Sequence, residues 1–367
     1  MQGIGNTVLM TPVIKALAAR HCQVDVVVSD NGSQEIVELT NAAGRRYLWR
    51  ENENSLSNLL RLRSEVRRPY DVAYALYPNG KRENALLCLV NATQKIRYSD
   101  TRHRFQLLDF LPATRKLQFT LDHDVNSNLK LIDVPVNGNR SPSLIVDEAS
   151  GKFATEFFSS NNLAHRFVVA IHPGGGGLAK RWSEDKFREL CRELLRDESI
   201  GLIVLGGSNE TSLISNITNG LGERAVAACG LPIKHVTAIV SNCQLVVAND
   251  SAVAHVASAA NVPTIVIWGY TDFQRAAPVG NKGLLLRIEY PCNPCYEFAR
   301  GYIVDCQHHL KCIKNISVAQ VYRIVSRYID SIRKSEPLRP EIFADDPDVS
   351  SMQHVASGCL KIDLRAA

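Results

Sequence analysis

The stretch Val246 to Asp272, VVANDSAVAHVASAANVPTIVIWGYTD, constrains the fold of this chain more than any other. It reads in one run as strand, polar turn, small-residue helix and second strand. Val246 and Val247 end a β-branched apolar run, and Asn249, Asp250 and Ser251 are residue types whose side-chain oxygens cap helices. A helix is expected from about Ser251. Its alanines let it lie close to a sheet, and Asn261-Val262-Pro263 ends it before a buried strand from Thr264 to Trp268. The result is a βαβ unit, which commits this half of the chain to a parallel α/β sheet. The free amides of the first helical turn would point at the carboxyl edge of that sheet, where open α/β folds hold ligands and where a helix N-terminus favours an anion such as a phosphate. The plainer reading is a structural βαβ unit with an ordinary cap.

A second segment repeats the pattern. Phe167 to Ile171 reads as a short buried strand, followed by His172, Pro173, the glycines Gly174 to Gly177, and Lys180-Arg181-Trp182-Ser183. Ser183 is suited to an N-cap, with Glu184 and Asp185 in the first turn and Phe187, Leu190, Cys191 and Leu194 at helical spacing. Glycines let backbone amides approach a ligand closely, and Lys180 and Arg181 can neutralise a diphosphate. The run lacks the GxGxxG and GxxxxGK[ST] spacings, so alone it reads as a flexible loop with two solvated cations.

Taken together, HPGGGGLAKRWSEDKF, VLGGSNE and the segment from CGLPIKHV to GYTD resemble the C-terminal half of glycosyltransferase family 9, the heptosyltransferases of lipopolysaccharide core assembly. GIGNTVLMTPVIKAL at Gly3 to Leu17 resembles the family's first loop and helix. HDVNSNLKLIDV at His123 to Val134 adds a further likeness, and the resemblance runs to about residue 335. It implies a GT-B architecture, two Rossmann-like doubly wound domains facing a central cleft. The implied activity is transfer of a sugar, heptose or related, with inversion, from a nucleotide diphosphate donor to a lipopolysaccharide-core or other glycan acceptor. No cofactor is required for such transfer.

That chemistry needs a base for the acceptor proton and positive groups for the departing diphosphate. Lys180, Arg181 and the helix amides at Ser251 and Ala252 meet the second need, with His172, Gly174 and Gly175 beside them. Gly5 and Thr7 of the first loop are further candidates for phosphate contact. By resemblance Asp250 and His255 line the donor site, although a histidine on an apolar helix is also a common core residue. The first need is where the chain departs from its family. Many members have Gly-Asp where this chain has Gly5-Asn6, and an amide cannot accept a proton at neutral pH. Asn6 then orients the acceptor while another group, with Asp30 and His172 as candidates, acts as base, or turnover is lost. The competing functions are a nucleotide-sugar binder without catalysis and a nucleotide-sugar epimerase. A second departure is Ala252, where the family commonly has glycine.

Ten cysteines in a chain expected to be cytosolic point to reduced thiols or metal rather than a disulfide framework. Cys292, Cys295, Cys306 and Cys312 form C-x2-C-x10-C-x5-C, close to the spacing of a four-cysteine structural zinc or iron site, and free or redox-active thiols are the alternative.

At 367 residues and 45% hydrophobic the chain can fill two α/β domains, expected at 1–155 and 156–335, with 336–367 read as a mobile tail. No apolar run reaches membrane-spanning length, so the expected location is cytoplasmic. A net charge of +5 is modest. The basic clusters Arg61, Arg63, Arg67, Arg68 and Arg102, Arg104 face either solvent or an anionic acceptor or inner-membrane surface, and nothing suggests nucleic acid. Ser317 to Lys334 is amphipathic, and by resemblance that helix returns toward the first domain. Only Met1 and Gln2 precede the first glycine loop, where a doubly wound domain needs its central strand. The expectation is that this strand is missing because the numbering starts late.

Overall fold

A computed structural model describes residues 3–78, 80–99, 112–118, 122–135, 140–295 and 306–366. Arg102 and Arg104 lie outside them. The chain divides into two compact units, Met1–Ile145 and Val146–Ala367.

The first unit runs α1 (Ile4–Ala19), β1 (Val26–Val28), α2 (Asn31–Glu38), β2 (Arg46–Leu48), α3 (Ser55–Glu65), β3 (Tyr70–Ala75), α4 (Lys81–Leu89), β4 (Ala92–Ser99), β5 (Arg115–Gln118) and α5 (Asp124–Leu131). The strands are parallel and fall into two small sheets, β1-β2 and β3-β4-β5. No strand joins them among the described residues. Gly5, Asn6 and Thr7, expected in a loop, lie in the first turns of α1. That helix opens directly at Ile4 because its following residues are apolar enough to be buried over two turns, from Thr7 to Ile14. Asp30 caps α2 by accepting from the Ser33 amide at 2.7 Å. Asn54 caps α3 in the same way through the Ser57 amide.

The second unit follows as α6 (Glu148–Ser160), β6 (Phe167–His172), a 3-10 turn (Leu178–Lys180), α7 (Glu184–Leu194), β7 (Ile200–Gly206), α8 (Thr211–Thr218), β8 (Ala225–Cys229), α9 (Ile233–Ser241), β9 (Leu245–Asn249), α10 (Ala252–Ala259), β10 (Thr264–Ile267), α11 (Phe273–Ala276), β11 (Gly283–Ile288), α12 (Lys311–Lys314), α13 (Val318–Arg333), β12 (Val349–His354) and β13 (Leu360–Leu364). Its strands form one sheet in the order β12-β13-β11-β10-β9-β6-β7-β8. Strands β6, β7, β9 and β10 are buried almost throughout, as strands covered on both faces must be. The chain starts in mid-sheet at β6, winds outward through β7 and β8, then crosses back to lay β9 on the other side of β6. Between β6 and β9 the winding direction reverses.

One expectation is corrected here. The segment read as a mobile tail folds into β12 and β13, with β13 parallel to β11 and β12 antiparallel to β13. Leu360, Ile362 and Leu364 point into the main core. On the opposite face Lys361 and Asp363 pair at 2.7 Å, and Arg287 of β11 lies 3.4 Å from Asp363, all three nearly fully buried. The alternation of apolar and charged residues in LKIDL is a strand pattern, and its charged positions made it read as tail. The amphipathic helix α13 buries Val321, Ile324, Val325, Tyr328 and Ile329 in the second unit's own core and packs on α7.

Candidate functional site

Because β6 and β9 are neighbours, with His172 opposite Ala248 in register, the loops that leave their carboxyl ends emerge side by side. This is the switch point of a doubly wound sheet, where the two diverging connections open a crevice. The glycine run follows β6, and the Asn249-Asp250-Ser251 turn follows β9.

Asn249 ties the loops together. Fully buried, it donates to the carbonyls of Pro173 at 2.7 Å and Gly174 at 3.2 Å, and it accepts from the Trp182 amide at 3.0 Å. Trp182 is in turn anchored by its indole N–H to the Ile316 carbonyl at 2.8 Å. The glycine loop therefore rests on fixed supports at both ends.

The expected caps differ from those observed. Ser183 and Ser251 occupy N-cap positions with extended backbone, yet neither makes a side-chain cap bond. Ser251 Oγ turns to His172 Nδ1 at 2.9 Å. Asp250 accepts from Lys180 Nζ at 2.6 Å and from Thr271 Oγ1 at 2.7 Å. The side-chain oxygens have thus been drawn toward the crevice, which leaves the opening amides of α10 without a side-chain acceptor. Ala252 stands at the first position of that helix. His255 lies buried one turn further on.

A residue that sequence reasoning passed over organises the other side. Glu210, at the end of a short 3-10 turn after β7, is nearly buried and accepts from Arg181 at 2.8 Å, from the Gly207 amide at 2.9 Å and from the Gly175 amide at 3.4 Å. Arg181 also donates to the Gly175 carbonyl at 2.9 Å. Of the two cations proposed for a diphosphate, Arg181 is therefore engaged in fixing the glycine loop, and Lys180 is paired with Asp250. Gly174 is needed for close approach, since a Cβ there would run into the Glu210 carboxylate. The signal for Glu210 was present in GGSNE, an acid four residues past a strand-end glycine. Its reach to Arg181 depends on how the strands pack.

His172 is buried, and burial drives its pKa from 6.5 to about 4, with Glu210 at 3.9 Å opposing the shift and Arg181 adding to it. At neutral pH the imidazole is uncharged. Such a ring accepts at one nitrogen and donates at the other, so a Ser251 hydroxyl proton directed at Nδ1 leaves Nε2–H facing Glu210.

In the first unit Thr7 Oγ1 bonds Ser33 Oγ at 3.0 Å, and Ser33 bonds Asp30 at 3.0 Å. With Ser29 at 2.6 Å and the Ser33 amide, both Asp30 oxygens are engaged in holding the start of α2. Asp30 serves as a cap, a role that competes with proton abstraction.

Cys292, Cys295, Cys306 and Cys312 line one cavity of about 90 Å³ together with Tyr270, Tyr290, Asn293, His308 and Lys311. Among the described residues no three or more ligand-type side chains stand in an arrangement that could hold a metal ion. Burial raises the Cys312 thiol to about 11, and Cys306 and Cys292 push it in the same direction.

The model of glycosyltransferase family 9 (heptosyltransferase) matches residues 59–301, more than half of the chain. Lipooligosaccharide heptosyltransferase 2 of Haemophilus influenzae is 25% identical over 250 residues, 64% of this chain and 70% of that protein. Among solved structures, the Escherichia coli ADP-heptose LPS heptosyltransferase II has a TM-score of 0.72 at 18% identity, with 91% of this chain and 97% of that one covered. The dodecameric iron-containing heptosyltransferase TibC in complex with ADP-D-beta-D-heptose has a TM-score of 0.52 at 11% identity, covering 90% and 75%. The fold is the α/β fold of the GT-B heptosyltransferases, and with the switch-point loops on its second sheet this chain belongs to glycosyltransferase family 9.

Proposed function

We propose that this protein transfers heptose or a related sugar, with inversion, from a nucleotide diphosphate donor to a lipopolysaccharide-core or other glycan acceptor. The observation that carries the reading is the meeting of Lys180, Asp250 and the α10 N-terminus with the Asn249-supported glycine loop at the switch point of the second sheet. A diphosphate arriving there finds backbone amides on two sides and one cation within reach. As the bond between sugar and diphosphate breaks, negative charge grows on the leaving oxygen. Lys180, already oriented by Asp250, neutralises it. Glu210 and Asn249 hold the loop so that this geometry exists before the donor binds.

The acceptor proton must go elsewhere than Asn6, whose amide has no basicity. We infer that Asn6 orients the acceptor hydroxyl and that another group takes the proton. His172, uncharged near neutrality but with a low proton affinity, and Asp30, engaged as a cap, are both weak candidates, and donor or acceptor groups in the bound complex complete the site.

We propose that the four cysteines, which share one cavity without standing in a metal-holding arrangement in this structure, would have to draw together to hold a structural zinc or iron ion. Four soft donors around one small cavity are the chemistry of thiolate coordination, and a cation there would lower the thiol pKa values of Cys292 and Cys312, which burial and neighbouring thiols now raise. Bound metal would cross-link the segment between β11 and α12. An iron-containing relative of the same fold supports this reading. No helix among the described residues is long and apolar enough to cross a membrane, and the reaction is proposed to take place in the cytoplasm.

The deciding experiment incubates the purified protein with radiolabelled ADP-heptose and a heptose-deficient core acceptor, followed by product analysis. Label in the glycan supports transfer. Donor binding without turnover would make the protein a sugar-nucleotide binder, and label in an isomerised donor would make it an epimerase.

A further inference from the structure

Asp250 brings two donors to a single oxygen. Lys180 Nζ stands 2.6 Å and Thr271 Oγ1 2.7 Å from Asp250 Oδ2. Lys180 belongs to the proposed diphosphate site, while Thr271 arrives from the segment that follows β10. An ammonium group on a four-carbon stem is a mobile point charge, placed only by what it pairs with. The position of Oδ2 therefore sets the position of the charge. A terminal carboxylate turns easily about its last torsion, and a second donor on the same oxygen limits that freedom.

The segment that presents Thr271 is itself anchored along its length. The buried Trp268 donates its indole N–H to the Thr271 carbonyl at 2.8 Å, and the Cys295 amide donates to the Tyr270 carbonyl at 2.9 Å. Asp272 then opens α11 by accepting from the Gln274 amide at 3.0 Å. Phe273 is buried against two cations, Arg287 at 5.0 Å and Lys361 at 5.4 Å from its ring centroid. Arg287 donates no hydrogen bond from Nε or Nη2, so the electron-rich ring face is a close partner for its charge. The buried charges of β11 and β13 thus pin the residue next but one to Thr271. A hydroxyl on so fixed a backbone is aimed, and it is aimed at Asp250.

We propose that Thr271 is a positioning residue for transfer: it holds Asp250 Oδ2 so that the Lys180 ammonium meets the diphosphate of the donor. Its hydroxyl also takes up part of the charge on that oxygen, so Lys180 is oriented while keeping charge to offer a phosphate. The role rests on the donor site proposed above.

The test is a double-mutant cycle on the full chain, read by calorimetric binding of ADP and by kcat with ADP-heptose. Thr271→Val keeps the side-chain shape and removes the hydroxyl. ADP should bind about fivefold more weakly and kcat should fall about tenfold or more, because charge on the diphosphate grows as its bond to the sugar breaks. Thr271→Ser should restore both to within about twofold of the wild type. Thr271→Ala, which puts no methyl group against the carboxylate, should match Thr271→Val. In a Lys180→Ala background, Thr271→Val should change neither quantity by more than about twofold, since the group it positions is gone. A residue that only stabilised the loop would impose its full loss there as well. Losses that persist in that background overturn the proposal, as does a serine variant as weak as the valine one, or wild-type ADP binding in Thr271→Ala. A wild type that binds ADP but transfers no label faults the proposed transfer, and the ADP cycle still decides the role of Thr271. A wild type that does not bind ADP overturns both.

Discussion

Lowering the pH should destabilise the second unit through one residue. His172 sits at the end of β6 with its ring bonded to Ser251, and its folded-state pKa of about 4 lies below the ordinary imidazole value of 6.5 because it is buried. The sign follows from linkage. Between those two values the unfolded chain binds a proton that the folded protein refuses, so stability is intact above pH 6.5 and falls as the pH drops toward 4. At about pH 4.5 the difference corresponds to roughly 2 to 3 kcal/mol, a large fraction of a domain's stability. Tryptophan fluorescence during urea unfolding reads this unit, since Trp182 and Trp268 belong to it, provided Trp49 is replaced by Phe in the background. In that background His172→Gln removes the titrating group and keeps a polar side chain beside Ser251. The parent protein should lose about 2 to 3 kcal/mol more than the His172→Gln protein between about pH 7 and pH 4.5. Parallel losses in the two proteins would refute the argument, because the acid sensitivity would then come from other groups.

Asp363→Ala leaves Lys361 and Arg287 buried without their acid and should cost about 3 to 5 kcal/mol in chemical denaturation. Ending the chain at Ser335 strips β12 and β13 from β11 and exposes the core face that Leu360, Ile362, Leu364 and Phe343 cover. That product should elute as aggregate on size exclusion rather than as a folded monomer. Lys180→Ala should reduce kcat/KM for donor transfer by about two to three orders of magnitude, with Lys180→Arg recovering part of it, as steady-state kinetics would report. For Asn6→Asp, a change in kcat of less than about tenfold is expected if the proton leaves by another route, whereas a larger gain would return the base to this position. Elemental analysis should find about one zinc or iron per chain, reduced in Cys306→Ser, and a folded protein free of metal would remove that site.

Several of these features were legible in the residue order. The run from Val246 to Asp272 announced β9, α10 and β10 because its signals are local: β-branched residues, capping types, alanines at helical spacing and a proline stop. FVVAI and the glycine run did the same for β6 and its loop. Other features were hidden because they depend on partners far along the chain. Asp250 and Ser251 read as caps, but their side chains are claimed by Lys180 and His172, about 70 to 80 residues away in sequence. Glu210 and Arg181 meet only because β6 and β7 lie side by side.

The sequence by itself determined β6, β9 and β10 with the helices α7 and α10, their parallel winding, and the chemistry available at two of the turns, since periodicity and capping are written within a dozen residues. Tertiary structure alone decided that those turns lie side by side, that Arg181 braces the loop while Lys180 pairs with Asp250, and that the charged terminal segment becomes an interior strand. Those outcomes follow from long-range pairing and burial: LKIDL is worth ordering only when an open strand edge and a core face are there to receive it.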